Sequence, residues 1–284
     1  MEERGMNKRI QKLRRQSLDT PARIYMERAD LMTDAYKMYE GSVSVPEMRA
    51  LAFKHFMANK HLCINDGELI VGEKGDGPQK SPTFPELCCH TLEDMHVMND
   101  RDLISFKVTD EDLKLQEEKI IPYWENRSIR HKIINSMTQE WKDCYESGIF
   151  TEFMEQRGPG HTVGSQKIYT KGFLDYKQDI QNALDKLDFL NDPEALDKQN
   201  ELNAMSISCD AIMILGQRYA ALARELAEKE TDPVRKEELL QIAHNCDVVP
   251  AHKPETYWQA IQMYWFVHLG VTTGQTGPAS VPVL

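Results

Sequence analysis

Side chains suited to chemistry are concentrated in residues 150–163, where Phe153, Glu155, Arg157 and His161 surround a Gly-Pro-Gly break. Glycine tolerates backbone angles closed to other residues, and proline fixes its own φ, so a sharp turn is predicted here. Such a turn can present the imidazole of His161, which donates or accepts a proton near neutral pH, at the end of a buried segment. The alternative is a tight loop whose histidine only bonds a neighbouring carbonyl.

The cysteines offer a second place for chemistry. Six occur, and none forms a Cys-x-x-Cys pair, so reduced and mostly buried thiols are expected. Cys88, Cys89 and His90 are the only cluster in the sequence. Adjacent cysteines rarely hold a metal without a second, distant pair, so no metal site is predicted.

Composition narrows the class of protein. The chain has 284 residues, 41% of them hydrophobic and 28% charged, which is typical of a globular protein. Its net charge of −11 argues against nucleic acid or an anionic membrane as the main partner. No apolar run approaches the ~18–20 residues of a membrane span, and the basic N-terminus lacks a signal-peptide core. A cytoplasmic location is predicted.

The elements that must position these residues are mainly helices. Apolar residues recur at spacings of three and four over most of the chain. One short strand is predicted at residues 69–71, after a turn at Asp66-Gly67, and residues 73–85 are predicted to be a surface loop. The predicted helices cover residues 25–39, 46–59, 110–121 (closed by Pro122), 128–147, 172–190, 205–229, 231–245 and 254–270. The predicted fold class is mostly α with short β strands.

The last helix is apolar on all sides. Tyr257, Ile261, Tyr264, Trp265 and His268 form one face, and further apolar residues cover the others, so the helix should be buried in a larger body. Residues 274–284 then carry no charge and no periodicity. We expect an N-terminal unit at residues 1–273 and an aberrant tail at residues 274–284, as a truncation or shifted reading frame would produce.

A family resemblance is carried by several segments together, namely residues 25–37, 65–73, 82–86 and 249–256. They resemble the N-terminal part of glycyl radical enzymes, the pyruvate formate-lyase family. Residues 150–163, together with Cys88-Cys89-His90, resemble the subgroup that dehydrates trans-4-hydroxy-L-proline. The resemblance spans residues 10–273, which correspond to only the first third or so of a family member.

The resemblance implies the N-terminal portion of an α/β barrel, built from two parallel half-barrels wrapped by helices. It implies radical elimination of water from hydroxyproline or a similar small molecule. In the family a partner activase that uses S-adenosylmethionine installs a glycyl radical, and relatives are commonly homodimers. Carried over residue by residue, Phe153 matches an aromatic pocket wall and His161 a polar group near the substrate hydroxyl.

The sequence also departs from the family pattern. The thiyl-cysteine and glycyl-radical loops of the family lie in a later region, so no catalytic residue is assigned here, no bound cofactor is expected, and the chain is expected to be inactive alone. An acidic pocket residue expected after the last helix falls in residues 274–284, where no acid occurs. Gly164 stands where a cysteine is expected. Two alternatives remain, a subunit of a split enzyme and a non-catalytic module that binds a small ligand.

Overall fold

Helices account for most of the computed structural model, which describes residues 7–149 and 164–274. Their order and bounds follow the chain. They are α1 (Lys8–Asp19), α2 (Glu27–Tyr39), α3 (Val45–Asn59), α4 (Leu92–Asp100), α5 (Asp110–Leu115), a π-helical turn (Gln116–Ile120), α6 (Ile121–Trp124), α7 (Ile129–Ser136), α8 (Gln139–Glu146), α9 (Lys167–Thr170), α10 (Phe173–Leu184), α11 (Ala195–Lys229), α12 (Pro233–Val248) and α13 (Tyr257–Gly274).

The long helix α11 is the centre of the packing. It contacts α3, α10, α12 and α13, and α3 in turn contacts α2. The face of α11 toward the core carries the fully buried Tyr219 and several buried small residues, which let neighbouring helices approach closely. These small residues are Ala211, Ala220, Ala223 and Ala227. We predicted this helix from residue 205, and it begins ten residues earlier because its polar first turns still consist of good helix formers.

Capping explains why α3 begins where it does. The Ser44 hydroxyl accepts a hydrogen bond from the backbone N–H of Glu47, and the Glu47 carboxylate accepts one from the Ser44 N–H. Pro46 in the first turn has no N–H to satisfy, so it suits this position. The predicted start at Pro46 is therefore confirmed to within one residue.

Several other predicted helix boundaries are wrong, among them the end of α10, which lies at Leu184 and not at residue 190. Pro122 does not close a helix, because the chain passes through the π-helical turn and Pro122 then lies in the first turn of α6, where its missing N–H costs nothing. Residues 128–147 form two helices, because Met137 and Thr138 are both extended and Thr138 is the N-cap residue of α8.

The β structure also differs from the prediction. Strands β1 (Arg23–Tyr25) and β2 (Lys80–Pro82) pair in parallel, and β2 lies in the stretch predicted to be loop. The strand predicted at residues 69–71 is wrong as a sheet element, since the chain bends there and the structure assigns no strand. Its backbone groups bond to side chains of α13 instead. No helix in the described parts of the chain is both long enough and apolar enough to cross a membrane.

Candidate functional site

His161 and Phe153, the predicted substrate-binding residues, lie outside the described residues, so their placement stays a prediction. The segment that follows them is described. Gly164 and Ser165 both have positive φ values, +86° and +51°. Ile168 of α9 is then 3% exposed and packs with Val249 and Met263. The chain that leaves residues 150–163 is therefore fixed against α13.

The side of α13 near α9 carries a stack of aromatic and imidazole rings. The His268 ring lies 5.2 Å from that of Trp265 and 5.9 Å from that of Tyr264, with near-parallel planes. The Trp265 Nε1–H donates to the Gly72 carbonyl at 2.7 Å, which fixes the indole. Within the described part of the chain, the buried Tyr264 hydroxyl and His268 Nδ1 have no hydrogen-bond partner.

His268 is held in its neutral form. Burial lowers the pKa of His268 below its usual value, and the nearby positive charge of Lys74 lowers it further. A neutral imidazole offers one donor and one acceptor nitrogen, so His268 and the Tyr264 hydroxyl can both bond a polar group brought between α9 and α13. The sequence placed His268 on this face. It did not mark His268 as a candidate, because a histidine in an apolar helix is usually a satisfied core residue.

A second set of groups with shifted pKa values lies at the C-terminal end of residues 69–73, a segment whose backbone bonds to side chains of α13. Burial, followed by the neighbouring carboxylate of Glu68, raises the pKa of Glu73 to about 7. Burial lowers the pKa of Lys60 to about 8. Lys60 is 2% exposed, and its ammonium donates to the Glu73 backbone carbonyl at 2.5 Å. Among the described residues, the Glu73 carboxylate receives one hydrogen bond, a long one of 3.4 Å from the Asn65 amide. Glu73 is thus a carboxyl group poised between its charged and neutral forms.

We expect Glu73→Gln to stabilise the fold at pH 8 and to have a much smaller effect at pH 5. The pKa of Glu73 is raised from 4.5 to about 7, so between these values the folded state binds more protons than the unfolded state. Stability is therefore lost as pH rises through that window. His268, whose pKa is lowered, makes stability rise with pH below its usual pKa. The measured quantity is therefore the difference in the free energy of unfolding in urea between the variant and the parent chain, in which the contribution of His268 cancels. The exposed Glu117, changed to Gln, is the control. An equal effect of Glu73→Gln at both pH values would contradict the assignment.

An ion pair fixes the far end of α13. Arg28 is fully buried, and its guanidinium donates to both carboxylate oxygens of Glu86 and to the backbone carbonyls of Thr83 and Thr273. The Phe84 ring lies 3.9 Å from its centre. The C-terminal turn of α13 is thus tied to α2 and to the segment that follows β2.

A groove of about 890 Å³ runs beside this ion pair. It is lined by residues of α2, α3, α10, α11 and α13, most of them apolar, and Glu86 and Tyr36 lie within it. Arg49 also lines the groove. Asp179 and Glu201, both exposed, are its other charged lining residues. The groove is large enough for a small molecule, and a mostly apolar lining with a few polar groups is usual for such pockets.

The contacts of the cluster Cys88-Cys89-His90 serve the packing of the fold. Cys89 is buried, and burial raises the pKa of its thiol to about 12. The Gln116 amide lies 3.9 Å from the Cys89 sulfur and donates to the His90 carbonyl at 2.6 Å. Across residues 7–149 and 164–274, no group of three or more His, Cys, Asp or Glu side chains is arranged to hold a metal ion.

Comparison with known proteins gives consistent matches. The family model described as "Pyruvate formate lyase-like" matches residues 6–283. The trans-4-hydroxy-L-proline dehydratase of Clostridioides difficile is 61% identical over 270 residues, which are 95% of this chain and 34% of that protein. The chain thus spans about a third of the length of the relatives it matches.

Solved structures agree. The crystal structure of the hydroxyproline dehydratase from Clostridioides difficile, with trans-4-hydroxy-L-proline bound, superposes with a TM-score of 0.91 at 61% identity, covering 95% of this chain and 34% of that chain. The glycerol-bound B12-independent glycerol dehydratase of Clostridium butyricum gives a TM-score of 0.88 at 30% identity, covering 96% and 35%. The predicted fold, the N-terminal portion of this barrel, is confirmed.

Proposed function

The chain belongs to the pyruvate formate lyase-like family, and on that premise we propose that it forms the N-terminal third of a glycyl radical enzyme that eliminates water from trans-4-hydroxy-L-proline. The observation that carries the proposal is the 61% identity to the C. difficile dehydratase over nearly the whole chain. The family members matched at about 30% identity act on other substrates, so the higher identity favours hydroxyproline.

We propose for Phe153 and His161 the roles that the family resemblance implies, and their chemistry suits these roles. An aromatic ring at position 153 supplies an apolar wall against the ring carbons of hydroxyproline. His161 holds the substrate hydroxyl, and its protonated imidazole gives a proton to the hydroxyl oxygen as the C–O bond breaks, so that the group leaves as water.

The radical chemistry of the family is supplied elsewhere. The glycyl radical, which the family obtains from an activase that uses S-adenosylmethionine, provides the hydrogen-abstracting species, and no residue of this chain is assigned that task. We propose that the activase and a small-molecule substrate are the partners, that the enzyme is a homodimer, and that it acts in the cytoplasm.

The test uses a single-chain fusion, in which residues 1–273 of this chain precede the remaining two thirds of the C. difficile dehydratase, activated without oxygen by the relative's activase. We expect the fusion to dehydrate hydroxyproline, and His161→Ala to lower kcat/KM by about 10²–10⁴-fold, as loss of a general acid–base group does. The glycyl radical signal in electron paramagnetic resonance should be unchanged. His55→Ala, a change in α3, is the matched control. An active fusion with the same kcat/KM after His161→Ala would exclude the role of His161.

A further inference from the structure

The groove of about 890 Å³ runs along the N-terminal half of α11. Its lining on that helix extends from Glu201 to Ile212. At a rise of ~1.5 Å per residue this is a length of about 16 Å. Two of the lining residues, Val45 of α3 and Met205 of α11, are 66% and 53% exposed. Large apolar side chains gathered along one groove indicate a place where a further segment or ligand packs.

The last described residue lies at one end of this groove. Gly274, which ends α13, is itself a lining residue. A Cβ added at Gly270, one turn earlier, would lie 2.5 Å from Ile212 Cδ1, so this part of α13 packs directly on α11. The Arg28 Nε–H donates to the Thr273 carbonyl at 2.6 Å. The backbone that leaves α13 is therefore fixed at the Ile212 end of the groove.

Residues 275–284 have the length and the composition to occupy the groove. These ten residues carry no charge and include Val281, Val283 and Leu284. Fully extended, a segment of this length reaches ~33–36 Å, about twice the length of the groove along α11. Gly277 tolerates the backbone angles of a sharp turn, so the segment can reverse its direction after α13 and run back along α11.

The charges around the groove favour an uncharged segment of the same chain. Asp179 and Glu201 are exposed lining residues, Glu86 is paired with Arg28, and Arg49 is the basic lining residue among those described. An acidic segment would be repelled here. A second copy of the chain also carries a net charge of −11, whereas a tethered segment pays no such repulsion and has a high effective concentration.

We propose that residues 275–284 fold back into this groove, where Val281, Val283 and Leu284 pack against its apolar lining. The chain thereby closes the groove to a second copy and to small apolar molecules. This inference goes beyond the proposed function and does not depend on it, because the fusion that tests that function contains only residues 1–273 of this chain.

The test is alkylation with iodoacetamide, resolved at each cysteine by mass spectrometry. Cys209 lines the groove and is 7% exposed, whereas Cys246 of α12 is 2% exposed and lies outside the lining. We expect Cys209 to react about tenfold or more faster in a chain that ends at Gly274 than in the 284-residue chain, because burial of aliphatic side chains shifts an equilibrium by at least that factor. Slow reaction of Cys246 in both chains shows that the shorter one is folded. Equal rates at Cys209 in two folded chains would overturn the proposal.

A variant pair at one position keeps the full length of the chain. Val283→Asp should raise the reaction rate of Cys209 as the truncation does, because a carboxylate is costly to bury in an apolar groove, whereas Val283→Leu should leave it slow. The same slow rate in both variants would exclude the proposed packing.

A peptide identifies the occupant. The peptide of residues 275–284, added at millimolar concentration to the chain that ends at Gly274, should slow the reaction of Cys209 again, and a peptide of the same composition in scrambled order should not. Equal protection by both peptides would contradict a specific fit. Protection of Cys209 that grows with the concentration of the 284-residue chain would show a second copy in the groove and would also overturn the proposal.

Discussion

Replacing Gly72 with alanine is expected to lower the free energy of unfolding by about 3 kcal/mol, because two unfavourable effects add. An added Cβ would lie 2.4 Å from Leu269 Cδ1 and 2.9 Å from the Trp265 ring, so side chains of α13 would have to move. The φ of Gly72 is +139°, a conformation that an alanine adopts only with strain. The shift would also disturb the bond from Trp265 to the Gly72 carbonyl.

Urea unfolding, with Gly77→Ala as the control, checks this expectation. A Cβ at Gly77 meets no atom within 4 Å, and its φ is not positive, so the control should change stability by less than about 0.5 kcal/mol. If the two variants unfold at the same urea concentration, Gly72 does not make the close contact with α13 that the structure shows.

Replacing Arg28 with methionine is expected to cost about 3–5 kcal/mol, the usual effect of removing one partner from a buried ion pair. The substitution leaves the Glu86 carboxylate and the carbonyls of Thr83 and Thr273 without their donor in a largely buried site. Because Thr273 lies in the last turn of α13, the loss should appear first as increased amide exchange in that turn.

Two comparisons separate this effect from a general loss of charge. Arg127 pairs with Glu40 at the surface, where both side chains are about half exposed, so Arg127→Met should cost only ~0–1 kcal/mol. The double variant Arg28→Met with Glu86→Leu should recover much of the stability, because no unpaired buried charge remains. A double variant as unstable as Arg28→Met alone would show that the cost is lost packing rather than an orphaned carboxylate.

Much of the helical architecture was predictable because its signals are local. The capping residues and Pro46 mark the start of α3, and the Gly172 boundary marks the start of α10 within one residue. The all-round apolar pattern of α13 correctly predicted a helix within a larger body, and its buried residues include Met263, Phe266 and Leu269.

The failures concern long-range partners. Nothing near Leu69 shows that its backbone will bond to a tryptophan far along the chain, so an extended apolar run was read as a strand. The pairing of β1 with β2 was missed for the same reason, since three residues without alternation carry little signal. Likewise, the raised pKa of Glu73 depends on burial by residues distant in sequence, and the roles of His161 and Phe153 came from resemblance alone.

The hydrogen bonds between α13 and residues 69–73 have a consequence for biosynthesis. Val71 and the Gln262 side chain that bonds it are 191 residues apart. At about 5–20 residues per second, a ribosome needs roughly 10–40 s to make the intervening chain. During that interval Leu69, Ile70 and Val71 are an apolar segment whose backbone lacks the partners that α13 later supplies. The nascent chain therefore passes through a long period in which its own fold does not yet cover this segment.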